Sequence, residues 1–174
     1  MLAYLFVVLA VIARFVAVPV GVTPVTGSLL FFGAYGSRRQ LWFPFAMLAA
    51  SDVVLTKFVY HFAFSWDHFV TWAWYAAIIW LGTRLRDNAK PMWVVASALA
   101  SSVSFFLASN FAVWACWNMY PKNVAGLMAS YAAALPFFHR SLAGDLVFTV
   151  TMFAVPVVVS KLSARSASSG TAAA

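Results

Sequence analysis

Seven polar side chains stand out because they occur within long apolar stretches of the sequence. If those stretches cross a bilayer, each ionisable side chain costs about 2.5–3.5 kcal/mol on insertion scales, so each is a candidate functional residue. Carboxylate, imidazole, amide and indole groups can together hold a small polar ligand. The candidate ligand-binding residues are Asp52, His61, Asn110, Trp114 and Asp145, with Arg14 and Lys57 as possible supporting residues.

The charged candidates also have structural interpretations. Asp52 could pair with Arg14 or Lys57 and so lock the helices together. Asp145 could cap the last helix, where a carboxylate favours the positive end of the helix dipole. Arg14 and Lys57 could instead extend their charged ends to the membrane surface. The sequence leaves these alternatives open.

Metal and catalytic sites are weakly supported. His61, Asp67 and His68 offer imidazole and carboxylate ligands across one loop, but three such residues are a weak pattern, and we expect no metal and no cofactor. The sequence contains no HExxH, no GxSxG and no glycine-rich phosphate loop. Cys116 is the single cysteine, so no disulfide can form within the chain. We therefore expect a protein that is not an enzyme.

Aromatic residues are abundant, with eight Trp, six Tyr and 17 Phe. Most of the Trp and Tyr side chains fit the aromatic belt of a membrane–water interface. Trp114, Trp117 and Tyr120 follow Asn110 at helical spacing and could form a ring-stacking wall. The residues assigned mainly to the belt are Trp66, Trp72, Trp74, Tyr75, Trp80, Trp114, Trp117 and Tyr120.

The composition determines the class of protein. Of 174 residues, 64% are hydrophobic and 9% are charged, whereas a soluble domain is about 45–50% apolar and about 25% charged. This excludes a soluble enzyme, a disulfide scaffold and a disordered chain. The net charge of +7 does not indicate a nucleic-acid-binding module, because charged residues are so few in total.

The apolar runs predict an all-α, polytopic membrane helix bundle with six transmembrane helices, at about 20 residues per span. Segment 123–138, bracketed by Pro121 and Pro136, predicts a short re-entrant or interfacial helix. We expect residues 1–162 to form one transmembrane domain and 163–174 a disordered, Ser/Ala-rich tail. The predicted spans are Leu2–Val18, Pro24–Gly36, Leu41–Phe62, Phe69–Leu85, Pro91–Cys116 and Leu142–Leu162.

The basic residues predict the orientation. With both termini cytoplasmic and 123–138 not crossing, seven basic residues lie in cytoplasmic segments and two in outer loops. If 123–138 did cross, the division would be six against three. We also expect 1–18 to be a retained span rather than a cleaved signal, because Arg14 follows the apolar run instead of preceding it. In this orientation the polar candidates lie from mid-membrane outward, which predicts a polar cavity open to the outside.

Several segments resemble a bacterial membrane family known as a domain of unknown function. The run TPVTGSLLFFGAY at 23–35 is similar to that family's FTPVGALALFGGAYF stretch. Ser51-Asp52 followed by His61 resembles its LSD and FH elements, with Tyr60 where the family has glycine. The strongest likeness is carried by NFAVW at 110–114, MYP at 119–121, AGL at 125–127, YAAALPFF at 131–138 and GDL at 144–146.

That family is similar in architecture to the S components of energy-coupling-factor (ECF) transporters. The resemblance implies six helices, an outward-facing small-molecule site and a location in the bacterial inner membrane. It also implies partners for transport, namely a membrane-embedded coupling subunit and ATPases. The predicted function is a substrate-binding or uptake component for a small molecule. The alternative is a structural or accessory subunit of a larger membrane complex.

Overall fold

The computed structural model describes residues 1–16 and 22–171, with side chains described as far as 164, and within these ranges it is entirely helical. The prediction of an all-α fold is confirmed for this part of the chain. A short 3₁₀ turn, Arg38–Gln40, precedes the third helix, and a π-helical turn, Leu55–Val59, extends it. The helices are α1 (Leu2–Phe15), α2 (Val25–Tyr35), α3 (Trp42–Val54), α4 (Asp67–Thr83), α5 (Pro91–Cys116) and α6 (Val124–Thr171).

Consecutive helices run in opposite directions between two ends of the bundle. At one end the Tyr4 hydroxyl hydrogen-bonds the Gln40 side chain, and Arg86 Nη2 donates to the Gly36 carbonyl at 2.8 Å. We call this the basic end, because the connections there contain Arg38, Arg39, Arg84, Arg86 and Lys90. The opposite end, which we call the cavity end, contains the polar residues described below.

Helix α2 lies at the centre of the bundle, and all of its residues from Val25 to Ala34 are buried. A helix that is apolar all round is stable only when other helices surround it. Two glycines allow the close approach. A Cβ at Gly33 would lie 2.7 Å from the Gly82 Cα of α4, and a Cβ at Gly27 would lie 3.1 Å from the Thr149 Cα of α6.

Helices α5 and α6 form a long antiparallel hairpin. The Ser130 hydroxyl donates to the Asn110 carbonyl at 3.1 Å, and further along the pair the Phe106 and Phe138 rings lie 4.5 Å apart. Helix α6 passes through Pro136 without ending. These contacts hold the helix on both sides of the proline, where isolated propensity would favour a break.

This continuity corrects one prediction. Segment 123–138 is the first part of α6 and not a separate re-entrant or interfacial helix, so it adds no further pass along the bundle. Helix α6 continues as far as Thr171 and so includes residues 163–171 of the predicted tail. The remaining three residues of that predicted tail lie outside the described residues.

Three helical segments are long and apolar enough to cross a membrane: Arg38–Val59, Pro91–Cys116 and Val124–Ala164. Helices α1 and α2 have 14 and 11 residues, which correspond to about 21 and 17 Å and are shorter than the roughly 30 Å of a hydrocarbon core. The six predicted spans therefore correspond to six helices. Three of them lie in segments that are long and apolar enough for a full crossing. Residues 17 and 18, at the end of the first predicted span, lie outside the described part of the chain.

Candidate functional site

An ion pair joins α1 to α3 near the cavity end. Arg14 Nη2 donates to Asp52 Oδ1, and the two side chains are only 17% and 8% exposed. Arg14 Nη1 also donates to the Ser51 hydroxyl at 2.8 Å. Of the two pairings that the sequence left open for Asp52, the structure contains the one with Arg14. Burial of these charges is tolerable because each has a partner of opposite sign.

Helix α4 completes this network with two aromatic side chains. Trp72 Nε1 donates to Asp52 Oδ2 at 3.0 Å. The Tyr75 hydroxyl lies 3.3 Å from both Asp52 Oδ1 and Arg14 Nη1, so it can accept from the guanidinium and donate to the carboxylate. Both carboxylate oxygens of Asp52 are therefore occupied. This hydrogen-bond network therefore connects α1, α3 and α4 near the cavity end of the bundle.

Asp145 has a different environment. It lies well inside α6, which begins at Val124, so the interpretation of Asp145 as a helix cap is wrong. Its Oδ2 accepts a hydrogen bond from the Ser102 hydroxyl of α5 at 2.6 Å, and Thr26 of α2 is a second hydroxyl partner. Both of these partners are neutral hydroxyl groups, and no ion pair to Asp145 occurs among the side chains that the structure describes.

Two cavities meet at Asp145. The first has a volume of about 210 Å³, and its charged and aromatic lining consists of Arg14, Trp74, Tyr75, Phe105 and Asp145. The hydroxyl groups of Thr23, Thr26 and Ser141 also line it. The second cavity has about 140 Å³ and shares Phe105, Ser141 and Asp145 with the first. Together they form a space between α1, α2, α4, α5 and α6 that has both polar and apolar lining residues, and we call this space the Asp145 site.

The sequence model of a family of unknown function (DUF6580) matches residues 1–167. The chain belongs to DUF6580. The match is consistent with the resemblance to an uncharacterised membrane family, whereas the likeness to ECF S components is a prediction that the match does not address. Comparison of this DUF6580 protein with the curated proteins and with the solved structures gave no match.

The predicted site residues of this DUF6580 protein divide into two groups. Arg14 and Asp145 line the first cavity, and Asp52 lies directly behind Arg14. Asn110 lines the second cavity, although its side-chain amide donates to the Phe106 carbonyl at 2.7 Å. These four residues are therefore brought to the Asp145 site. The other three are not among the lining residues.

His61 and Lys57 lie on the exposed end of α3 and the loop that follows. His61 has φ of 55°, the left-handed conformation that commonly follows a helix. Its neighbour in the predicted metal group, His68, instead hydrogen-bonds the Thr56 hydroxyl at 2.9 Å and lies 3.5 Å from Asp67 Oδ1. Within the described residues no group of three or more His, Cys, Asp or Glu side chains is placed to hold a metal ion.

Trp114 belongs to the α5–α6 turn. Its indole Nε1 donates to the Pro121 carbonyl at 2.9 Å, and Lys122 Nζ lies 5.9 Å from the centre of its ring. Lys122 also donates to the Trp117 carbonyl at 2.7 Å and so satisfies the end of α5. Trp114 therefore closes the turn. None of the three residues of the predicted ring-stacking wall is among the described lining residues of the two cavities.

Three aromatic residues at or beside the Asp145 site were not predicted from the sequence as site residues. Tyr75 and Trp74 are buried, with 4% and 8% exposure, and Trp72 bonds Asp52, so the assignment of these three to the interfacial belt is wrong. Trp74 Nε1 donates to the Ser104 hydroxyl of α5 at 3.1 Å. The one available signal was spacing, because Trp72 and Tyr75 are three residues apart and share a helix face.

Proposed function

We propose that this protein is a membrane-embedded binding component that captures a small molecule in the Asp145 site. The observation that supports the proposal most strongly is that Arg14, Tyr75 and Asp145, from three helices, line one cavity of about 210 Å³. Concave sites with an apolar wall and a few convergent polar groups are typical of small-molecule binding. Polar groups in a membrane bundle are costly unless they are paired or used.

The different environments of Asp52 and Asp145 support this proposal. Asp52 is fully engaged by Arg14, Tyr75 and Trp72, and its role is to fix Arg14 beside the cavity. Asp145 keeps an oxygen that the hydrogen bond from Ser102 does not use. A carboxylate has room for several donors, so Asp145 can accept a hydrogen bond from a ligand.

The proposed orientation follows from the basic end. Lys and Arg residues are enriched in the cytoplasmic connections of membrane proteins, and Arg38, Arg39, Arg84, Arg86 and Lys90 gather at one end of this bundle. The cavity end is then outside, both termini lie toward the cytoplasm, and the Asp145 site opens outward in an inner membrane. Transport would require a coupling subunit and ATPases as partners, as the resemblance to ECF S components implies.

Native mass spectrometry of the protein, extracted in mild detergent, tests the proposal. We expect a bound small molecule that is retained by the wild type and largely lost from Asp145→Asn. Asp87→Asn is the matched control, since it removes a carboxylate from an exposed connection at the basic end. Equal retention by Asp145→Asn and wild type, or no ligand in any preparation, would contradict the proposal.

A second candidate function rests on a different surface. The connection after α3 exposes a series of aromatic side chains, including Tyr60 at 56%, Phe62 at 63% and Trp66 at 75%. Exposed aromatic patches are enriched at protein–protein interfaces. An accessory subunit of a larger membrane complex would use this surface to hold its partner. Stoichiometric co-purification with a larger complex, and loss of that complex on Trp66→Ser, would favour this second function.

A further inference from the structure

The Asp145 site has an unbalanced charge. Arg14 and Asp52 neutralise each other, whereas Asp145 has no Lys, Arg or His partner within 4.0 Å among the residues whose side chains are described. The stretch 17–21, outside the described part, contains only Ala, Val, Pro and Gly. The next basic residue without a described side chain is Arg165. Its backbone lies about 30 Å from that of Asp145 along α6, as calculated from the helix rise. The site therefore has one carboxylate more than it has basic groups.

Burial in a low-dielectric bundle disfavours an ionised carboxylate, and a cation placed beside it restores the stability of the ionised form. The aromatic side chains that line the first cavity indicate which chemical class of cation fits there. Trp74 and Phe105 line the first cavity, with ring centres 4.7 Å apart. The Trp74 indole is held in place by its bond to Ser104. Aromatic faces attract ammonium and quaternary ammonium groups, and they supply none of the six or more oxygen ligands that Ca²⁺ or Mg²⁺ requires.

The volume limits the ligand. Each cavity, at about 210 and 140 Å³, is below the range of about 300–1,000 Å³ that is typical of pockets for drug-sized ligands, and the two together reach only its lower end. The first cavity has Asp145 on one wall and Arg14 on another, and the guanidinium is already occupied by Asp52. An anionic ligand would have to compete with Asp52 for Arg14, whereas a cation meets a carboxylate whose described partners are the neutral hydroxyl groups of Ser102 and Thr26.

We infer that the ligand of the Asp145 site is a small organic cation, whose ammonium nitrogen pairs with Asp145 while its apolar part lies against Trp74 and Phe105. This inference rests on the proposed function, and it names the chemical class of the substrate. Ser102 and Thr26 orient the carboxylate through their hydroxyl groups. Arg14 and Asp52 form a neutral wall.

Two measurements on the purified full-length protein test the inference. The first identifies the charge of the compound that native mass spectrometry finds bound. The second is isothermal titration at neutral pH with three probes of matched shape, namely phenethylamine (cationic), 2-phenylethanol (neutral) and phenylacetate (anionic). We expect saturable binding of phenethylamine at least tenfold tighter than binding of the other two. The same cation should bind at least tenfold more weakly to Asp145→Asn and unchanged to Asp87→Asn.

The outcomes separate this inference from the proposed function. A retained compound that is neutral or anionic, or equal binding of all three probes, would overturn the inference and leave the binding role intact. Retention of radioactive sodium without binding of any organic cation would also overturn it. No retained compound and no probe binding would overturn both. If Asp145→Asn does not fold, as judged by size-exclusion chromatography and circular dichroism, the comparison of probes on the wild type decides.

Discussion

Asp52 is predicted to be a structural carboxylate, and its replacement by leucine tests this directly. Asp52→Leu removes the acceptor used by three donors: Arg14 Nη2, the Tyr75 hydroxyl and Trp72 Nε1. The side chain is 8% exposed and that of Arg14 is 17% exposed, so solvent cannot replace the lost partner. Removing one member of such a pair costs about 3–5 kcal/mol. We expect a loss of unfolding free energy of at least about 3 kcal/mol.

A double-mutant cycle separates the pair from its surroundings. Arg14→Met combined with Asp52→Leu removes both charges, so the double variant should be more stable than the sum of the single effects by about 0.5–3 kcal/mol. The assay is unfolding by sodium dodecyl sulfate in mixed micelles, followed by circular dichroism. Asp87→Leu, in an exposed connection, is the control and should change stability by less than about 0.5 kcal/mol. A loss below about 1 kcal/mol for Asp52→Leu, or additive single effects, would show that the Arg14–Asp52 pair does not hold the helices together.

Three further substitutions address the fold around the site. Gly33→Ala places a Cβ 2.7 Å from Gly82, so the α2–α4 crossing must widen; we expect a loss of about 1–3 kcal/mol in the same assay, and an unchanged midpoint would contradict the close crossing. Gly126→Ala places a Cβ 2.9 Å from the Pro121 carbonyl carbon and should destabilise the α5–α6 turn by a similar amount, measured as faster proteolysis of that turn. His61→Gly relieves a φ of 55° and should leave stability equal or raise it by up to about 1 kcal/mol; loss of ligand retention in this variant would instead place the imidazole in the site.

The residues of the candidate site that could be predicted from sequence are ionisable side chains within apolar runs. An ionisable side chain in an apolar run is costly, and this rule found Arg14, Asp52 and Asp145. The same rule selected Lys57 and His61, which the structure places at the exposed end of α3. The difference lies in where α3 ends. The π-helical turn Leu55–Val59 and the left-handed residue after it carry this end of the chain away from the bundle.

Other features could not be found from sequence because the relevant signal is tertiary. Tyr75 and Trp74 belong to an aromatic-rich helix with apolar residues on every face. The spacing of Trp72 and Tyr75 indicates a shared face, but periodicity could not show which face of this helix points inward. Pro136 reads as a helix end, yet contacts with α5, such as the Tyr131 hydroxyl donating to the Leu107 carbonyl at 3.0 Å, keep α6 continuous. Sequence patterns therefore predicted which residues are costly, and packing decided which of them meet.

If a small molecule occupies the space in front of Asp145, a larger side chain in that space should prevent its binding. Ser141 lines both cavities, and Ser141→Trp would fill them without removing a charge. Native mass spectrometry of wild type and Ser141→Trp, prepared in parallel and both shown to be folded, gives the answer. We expect a ligand mass on the wild type and none on the variant. Equal occupancy in the two proteins would show that the ligand does not lie in front of Asp145.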